Sequence, residues 1–327
     1  MIGPLSKNLI AAIALALGVT CAAQTHASDY PTRPVRIMYG YPAGGAGDVI
    51  GRIVAERMSA TLGQQFIMEN RTGAGGTIAA TAAARAEPDG HTILLVIESH
   101  TINPSLFKSL SYDTAKDFTP IGMVGRSPLM LVVNEKVPAK TVQEFVALAK
   151  KNDNSITIAH FGPGSPQYSA MLLFSQKAGI KLSDVPYRGG APAINDLVGG
   201  HMQSFFMTQG SAMPLTTGGQ IRALAAASTE PLPLYPDLPT LKSAGYDISA
   251  AHWFGFVAPA QTPPAIVKKL EDALQGALEQ PTVQARLKEL GLVMTPMRSA
   301  EFGQFLTEQT KSWAAFNEAN NIRIDQN

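Results

Sequence analysis

Val35-Arg36-Ile37-Met38-Tyr39-Gly40-Tyr41-Pro42-Ala43-Gly44-Gly45-Ala46-Gly47-Asp48 reads as a strand entering a glycine-rich turn and then a helix. Val35 to Tyr39 supply the strand, and Ile50, Ile53, Val54, Met58 and Leu62 recur at spacings of three and four, the signature of one helix face. Asp48 stands where an N-cap belongs and Gly63 where a C′ glycine belongs. A turn of this kind leaves the first helical N–H groups unpaired at the positive end of the helix dipole, so it can hold an anion without Lys or Arg. The alternative is a tight turn with no ligand. A nucleotide fits poorly: Gly45, Gly47 and Gly51 give G-x-G-x-x-x-G instead of G-x-G-x-x-G, and no Walker lysine follows.

The same design recurs at Arg71-Thr72-Gly73-Ala74-Gly75-Gly76-Thr77 and at Phe161-Gly162-Pro163-Gly164-Ser165. Three such helix entrances facing one crevice would form a site of N–H donors and hydroxyls suited to carboxylates. Around them, strands and helices alternate. Strands are expected at Gln65–Met68, His91–Ile97, Leu129–Asn134, Ile156–Ala159, Val185–Tyr187 and His252–Val257. Helices are expected at Thr77–Ala86, from a capping box at Thr141-Val142-Gln143-Glu144, up to Ala178, at Pro192–Val198, and around 266–278, 283–290 and 300–320. That alternation implies α/β layering with a largely parallel sheet. Phe302, Phe305, Leu306, Trp313 and Phe316 in the last helix read as core packing.

The chain has 327 residues, and residues 1–27 read as a cleavable secretory leader: Lys7 precedes the apolar run Leu9–Val19, and Thr25-His26-Ala27 fits a small-x-Ala cleavage site. The run is short for a bilayer span, which needs roughly 20 residues. Cleavage would remove Lys7 and the single cysteine, Cys21, leaving 25 basic and 25 acidic residues. A neutral chain is a poor partner for nucleic acid, and five scattered histidines without cysteine assemble no obvious metal site. No cofactor is expected. The remaining length suits two domains.

Catalytic constellations are weak. No G-x-S-x-G elbow surrounds Ser165, since Pro166 and Gln167 follow it. Ser99 and His100, read as extended, would point to opposite sides.

Taken together, Tyr30-Pro31-Thr32-Arg33-Pro34-Val35-Arg36, Tyr41–Asp48, Asn70–Gly76, Pro88-Asp89-Gly90-His91-Thr92 and Ser99-His100-Thr101-Ile102-Asn103-Pro104 resemble the Bug-type extracytoplasmic solute receptors of tripartite tricarboxylate transporters. The resemblance continues through Pro186–Ala193, Leu238-Pro239-Thr240 and Trp253–Pro263, and so covers the whole mature chain. It implies an α/β, two-lobed, type II-like periplasmic binding protein with a ligand cleft between the lobes, acting as a monomer without enzymatic chemistry. Its lobes are expected at 28–128 plus about 247–327, and at about 129–246. Such a protein captures a small organic carboxylate and delivers it to the membrane permease subunits.

Carried over by motif, the resemblance assigns Tyr41, Ala43, Gly44, Gly45, Asp48, Gly75, Gly76, Ser99 and His100 to the ligand from the first lobe. From the second it assigns Gly164, Ser165, Tyr168, Tyr187, Arg188, Gly189 and Ala191, with Arg188 as the charged partner. This sequence departs from the family pattern at Tyr168 and Leu172, where His and Glu are common, and at Met202-Gln203 and Phe206-Met207, where two acids are missing. A pocket without those acids suits a plain or aromatic carboxylate better than an amino acid; surface drift explains Gln203 equally well. A secreted serine hydrolase using Ser165 or Ser99, and a receptor feeding a signalling partner, are the competing readings.

Overall fold

The computed structural model describes residues 29–151 and 156–323; the expected leader, with Cys21, lies outside the described residues. The chain runs β1 (Val35–Tyr39), α1 (Ala46–Leu62), β2 (Phe66–Asn70), a 3₁₀ turn (Ala74–Gly76), α2 (Thr77–Ala84), β3 (Thr92–Val96), α3 (Ser99–Leu106) and β4 (Phe118–Asn134). It continues through α4 (Val142–Lys151), β5 (Thr157–His160), α5 (Pro166–Ala178), β6 (Ser183–Pro186), α6 (Gly190–Gly199), β7 (Ser204–Thr208), α7 (Gln209–Thr217) and β8 (Ile221–Ala227). The last elements are β9 (Ala251–Pro259), α8 (Pro264–Leu278), α9 (Pro281–Glu289), β10 (Val293–Arg298) and α10 (Ser299–Ala319).

The strands are ordered β2-β1-β3-β9-β4-β7-β5-β6, with β8 and β10 also on β4. β1 is parallel to β2 and β3, and β5 is parallel to β6 and β7, as a strand–helix alternation requires. The parallel strand β3 is buried along its whole length, so it reads as a continuous apolar run without alternation.

β4 joins the two groups. Its first part, Phe118 to Pro128, pairs with β9, and its second part, Leu129 to Asn134, pairs with β7 and β8. A break near Ser127-Pro128 is the natural reading of the sequence, because proline cannot donate to a ladder. The strand nevertheless continues, since Pro128 sits where β4 exchanges one set of partners for the other. On either side of this exchange lie separate apolar clusters. One packs Ile37, Ile53, Met58, Ile93, Phe256 and Leu274; the other packs Leu131, Phe145, Phe174, Phe206 and Leu224.

Strand polarity places the loops. β9 is antiparallel to both β3 and β4, so β3 and β4 run the same way. β7 is antiparallel to β4 and therefore runs against β3. The carboxyl end of β7, Thr208, pairs with Leu129, just past the exchange point, while β1 to β3 run toward that point from the other side. The carboxyl ends of the two parallel groups thus face each other across the middle of β4. Ligands of open α/β sheets bind at such ends.

Candidate ligand-binding site

Each parallel strand empties into a helix: β1 into α1, β2 into α2, β3 into α3, β5 into α5, β6 into α6 and β7 into α7. The facing ends therefore present six helix N-termini, each with N–H groups that no helical carbonyl can satisfy.

In the first half, Ala43, Gly44 and Gly45 are exposed in the turn before α1. Gly44 takes the left-handed backbone, with φ +81°, which favours glycine. Gly45 caps the helix with φ −72°, an ordinary extended value. Asp48 is not the N-cap. It lies buried in the first helical turn, where its carboxylate accepts from Gly44 N at 3.0 Å, from Arg52 Nε and Nη2 at 3.0 Å each, and from Asn70 Nδ2 at 3.0 Å. Burial opposes its charge, but these donors win and hold the pKa below the usual carboxylate range. Asp48 thus braces the turn from behind.

The second turn is bonded to the first. Ala74, Gly75 and Gly76 all have positive φ, of 46°, 61° and 86°. A Cβ on Gly40 would sit 2.5 Å from Gly76 Cα, so glycine is needed for the close approach of these two turns. Gly75 O accepts from Tyr41 OH at 3.2 Å and from Asn103 Nδ2 at 3.1 Å, and the Tyr41 and Ser99 hydroxyl oxygens lie 2.8 Å apart. Burial raises the Tyr41 pKa, so the phenol stays a neutral donor. Tyr41, Gly75, Gly76, Ser99 and His100 line one small cavity of about 20 Å³, little more than one water.

Ser99 and His100 are not extended; they open α3. Pro104 inside that helix removes the N–H due to His100 O, and the Thr114 hydroxyl takes the carbonyl instead, at 3.3 Å. His100 is buried between the Tyr112 and Phe118 rings. Burial lowers its pKa to about 3, and Nε2 has no hydrogen-bond partner among the described residues.

In the second half, Gly162 and Gly164 both have φ +88°. Ser165 caps α5: Oγ accepts from Tyr168 N at 3.3 Å and donates to Gly162 O at 2.7 Å. Gly162 N donates to His160 Nδ1 at 2.8 Å, and His160 Nε2 lies 3.1 Å from Asp184 Oδ2. A Cβ on Gly164 would meet Leu106 Cδ2 at 2.7 Å, so this turn touches α3 of the opposite half. Tyr168 and Leu172 are packed beneath it with Ile102, Leu106 and Trp313, Tyr168 also against the His160 ring; the structure gives them apolar contacts between the halves.

Tyr187 OH donates to Asp196 Oδ2 at 2.6 Å, and burial followed by that carboxylate raises the phenol to about 12. Gly189 caps α6, with Ala191 exposed in its first turn and Arg188 exposed just before it. Arg188 makes no ion pair among the described residues, leaving its charge available beside a helix N-terminus.

Sequence reading missed the entrance to α7, where Thr208 Oγ1 donates to Ser211 Oγ at 3.0 Å. Its only signal was Thr208-Gln209-Gly210-Ser211, without a glycine pair. The departures from the family pattern also find other places. Gln203 lies before β7, at the far end from Thr208, and accepts from Thr157 N at 2.9 Å; Phe206 and Met207 are buried in apolar clusters. Among the described residues no cluster of metal-ligating side chains occurs, and no helix is long and apolar enough to cross a membrane.

The model of the tripartite tricarboxylate transporter family receptor matches residues 50–322. Among solved structures, the chain is similar to the periplasmic binding protein BugD, at 34% identity and TM-score 0.79, covering 91% of this chain and 100% of that one. It is similar to MatC from Rhodopseudomonas palustris with bound malate, at 33% identity and TM-score 0.77 over 88% and 99% of the two chains. An R. palustris protein with adipate aligns at 28% identity and TM-score 0.83 over 90% and 100%.

Proposed function

The chain belongs to the tripartite tricarboxylate transporter receptor family, a family of solute-binding proteins, and from that premise we propose that it captures a small organic carboxylate and hands it to the membrane permease subunits of a tripartite transporter. The observation that carries this reading is the opposed polarity of β3 and β7, which turns six helix N-termini toward the middle of β4. Helix N-termini favour anions. Malate and adipate, bound in two similar proteins, are dicarboxylates, and a dicarboxylate places one charge against each set of entrances.

In this reading, residues 28–128 with about 247–327 form one lobe, and about 129–246 the other. The turns at Ala43 to Gly45 and at Gly75–Gly76 receive one carboxylate through N–H groups other than those of Gly44 and Gly76, which already donate to Asp48 Oδ2 and Gly73 O, with Tyr41 and Ser99 fixing the two turns to each other. The Gly164–Ser165 and Gly189–Ala191 entrances receive the other, with Arg188 as the cation. The lobes close on the ligand by bending where β4 changes partners, a hinge motion. A cleaved leader would put the mature protein in the periplasm as a monomer, where it delivers ligand without chemistry of its own.

Calorimetric titration and thermal shift with malate, adipate, citrate, a neutral diol and a diamine test the ligand class. Carboxylate at a hundred times its Kd should stabilise the fold by about 2.7 kcal/mol, and the diol and diamine should not. Heat and stabilisation from none of the acids would overturn the reading. Delivery is tested by deleting the gene in its host: uptake of the identified ligand should fail and return with the intact chain.

A further inference from the structure

Beyond the facing strand ends, a second pocket of about 230 Å³ lies behind α5, walled by residues of both halves. Arg126 of β4, Trp253 of β9, and Phe305 and Trp313 of α10 form one side; Ser169 and Leu173 of α5 form the other. The wall presents polar and apolar surface in about equal share, the apolar part from Trp253, Phe305, Trp313 and Leu173, and Arg126 is its only charged group. The Arg126 guanidinium stacks 5.0 Å from the centre of the Phe305 ring and makes no ion pair or hydrogen bond among the described residues; its Nε is buried without a partner. Trp253 is 3% exposed, and its Nε1 is likewise an unpartnered buried donor. Buried donors without acceptors are rare and costly, and the half-buried Arg126 cation has no counter-charge among the described residues. Burial alone shifts the Arg126 pKa, downward, with no carboxylate acting against it.

We propose that this pocket is a binding site for an aromatic monocarboxylate, the ring held among Trp253, Phe305 and Trp313 and the carboxylate taken by the Arg126 guanidinium. A single cation matches a single negative charge. The size also matches: a cavity of about 150 Å³ holds benzene, and the larger volume leaves room for one carboxylate. A second carboxylate would be buried here without a partner, so the pocket selects against the dicarboxylates proposed for the facing strand ends. Exposed Ser249 and half-buried Gln309 at the rim give access from solvent. Because the walls come from both halves, an occupant ties α5 to α10.

Both tryptophans of the chain, Trp253 and Trp313, line this pocket, so intrinsic fluorescence reports on it directly. Benzoate titrated into the mature protein should change tryptophan emission saturably, and saturating malate should not displace it. Arg126→Met should weaken benzoate at least tenfold, and Gln309→Phe, which fills the rim from a half-buried helical position, should do the same while malate titration stays as in wild type. No benzoate response, unchanged affinity in either folded variant, or displacement by malate would overturn the site. Should Arg126→Met fail to fold, Gln309→Phe and the competition decide it. Failure of malate to bind would bear on the facing strand ends alone, since the benzoate response is read by itself.

Discussion

His252 Nδ1 lies 2.8 Å from the buried Glu98 carboxylate, and its Nε2 lies 3.0 Å from Gln167 Nε2 at the start of α5. The imidazole therefore links the loop before α3 to the opposite half of the molecule. Burial disfavours its charged form, but attraction to Glu98 and the hydrogen bond to it outweigh burial and raise the pKa above the ordinary value.

A raised histidine pKa means that the folded state holds the proton more tightly than the unfolded chain. Its contribution to stability is complete below the unfolded value, near 6.5, and fades as pH climbs through the folded value. Urea denaturation from pH 6 to 9 should show wild type losing stability over that interval relative to His252→Gln. Parallel curves for the two proteins would show that Glu98 and His252 are not coupled as described.

His100 carries the opposite sign. Its folded pKa of about 3 lies below the ordinary value because burial excludes the charge, so its contribution is complete above about 6.5 and is lost as pH falls toward 3. Between pH 6 and 4 the loss should approach about 1.4 kcal/mol per pH unit. His100→Gln should flatten that slope in acid denaturation and leave the alkaline limb of the curve unchanged. An unchanged acid slope would mean that His100 titrates normally.

Much of this arrangement was legible in the sequence because strand–glycine–helix units announce themselves by local chemistry. The turns at Gly44–Gly45, Gly73–Gly76 and Gly162–Gly164 need positive φ at particular positions, and glycine supplies it. The run from Ile221 to Ala227 was not read as a strand, since it is rich in alanine and carries little β-branched signal. β10 was likewise missed: Val293 to Arg298 is interrupted by Pro296 and a register shift. Nor could local pattern show that Asp48 meets Asn70, because that depends on β2 lying beside β1. The Glu98–His252 pairing spans 154 residues and was likewise beyond local pattern.

Arg188→Gln tests the proposed cation of the second lobe. The side chain is exposed and makes no ion pair among the described residues, so the folded state should keep its denaturation midpoint to within surface-mutation scatter, about 0.5 kcal/mol. A hydrogen bond to a charged group is worth about 1.5–3 kcal/mol, so malate affinity should fall roughly tenfold to a hundredfold. Calorimetry that returns wild-type affinity would remove Arg188 from the site.

Gly44 and Gly45 should separate stability from binding. Gly44 has φ +81° with no atom within 4 Å of an added Cβ, so Gly44→Val should cost about 1–3 kcal/mol through backbone strain alone. Gly45 has φ −72° and ψ 164°, which valine adopts freely, and its added Cβ would meet only Pro42 O, at 3.5 Å. Gly45→Val should therefore fold, losing about 1 kcal/mol through the poorer helix cap. Its branched side chain would project from the exposed turn where the proposed carboxylate lies against the first N–H groups of α1. Urea denaturation should rank Gly44→Val as the less stable variant, and malate titration should show binding lost in Gly45→Val. Wild-type malate affinity in Gly45→Val would leave this turn a structural element and move the carboxylate to another of the helix entrances.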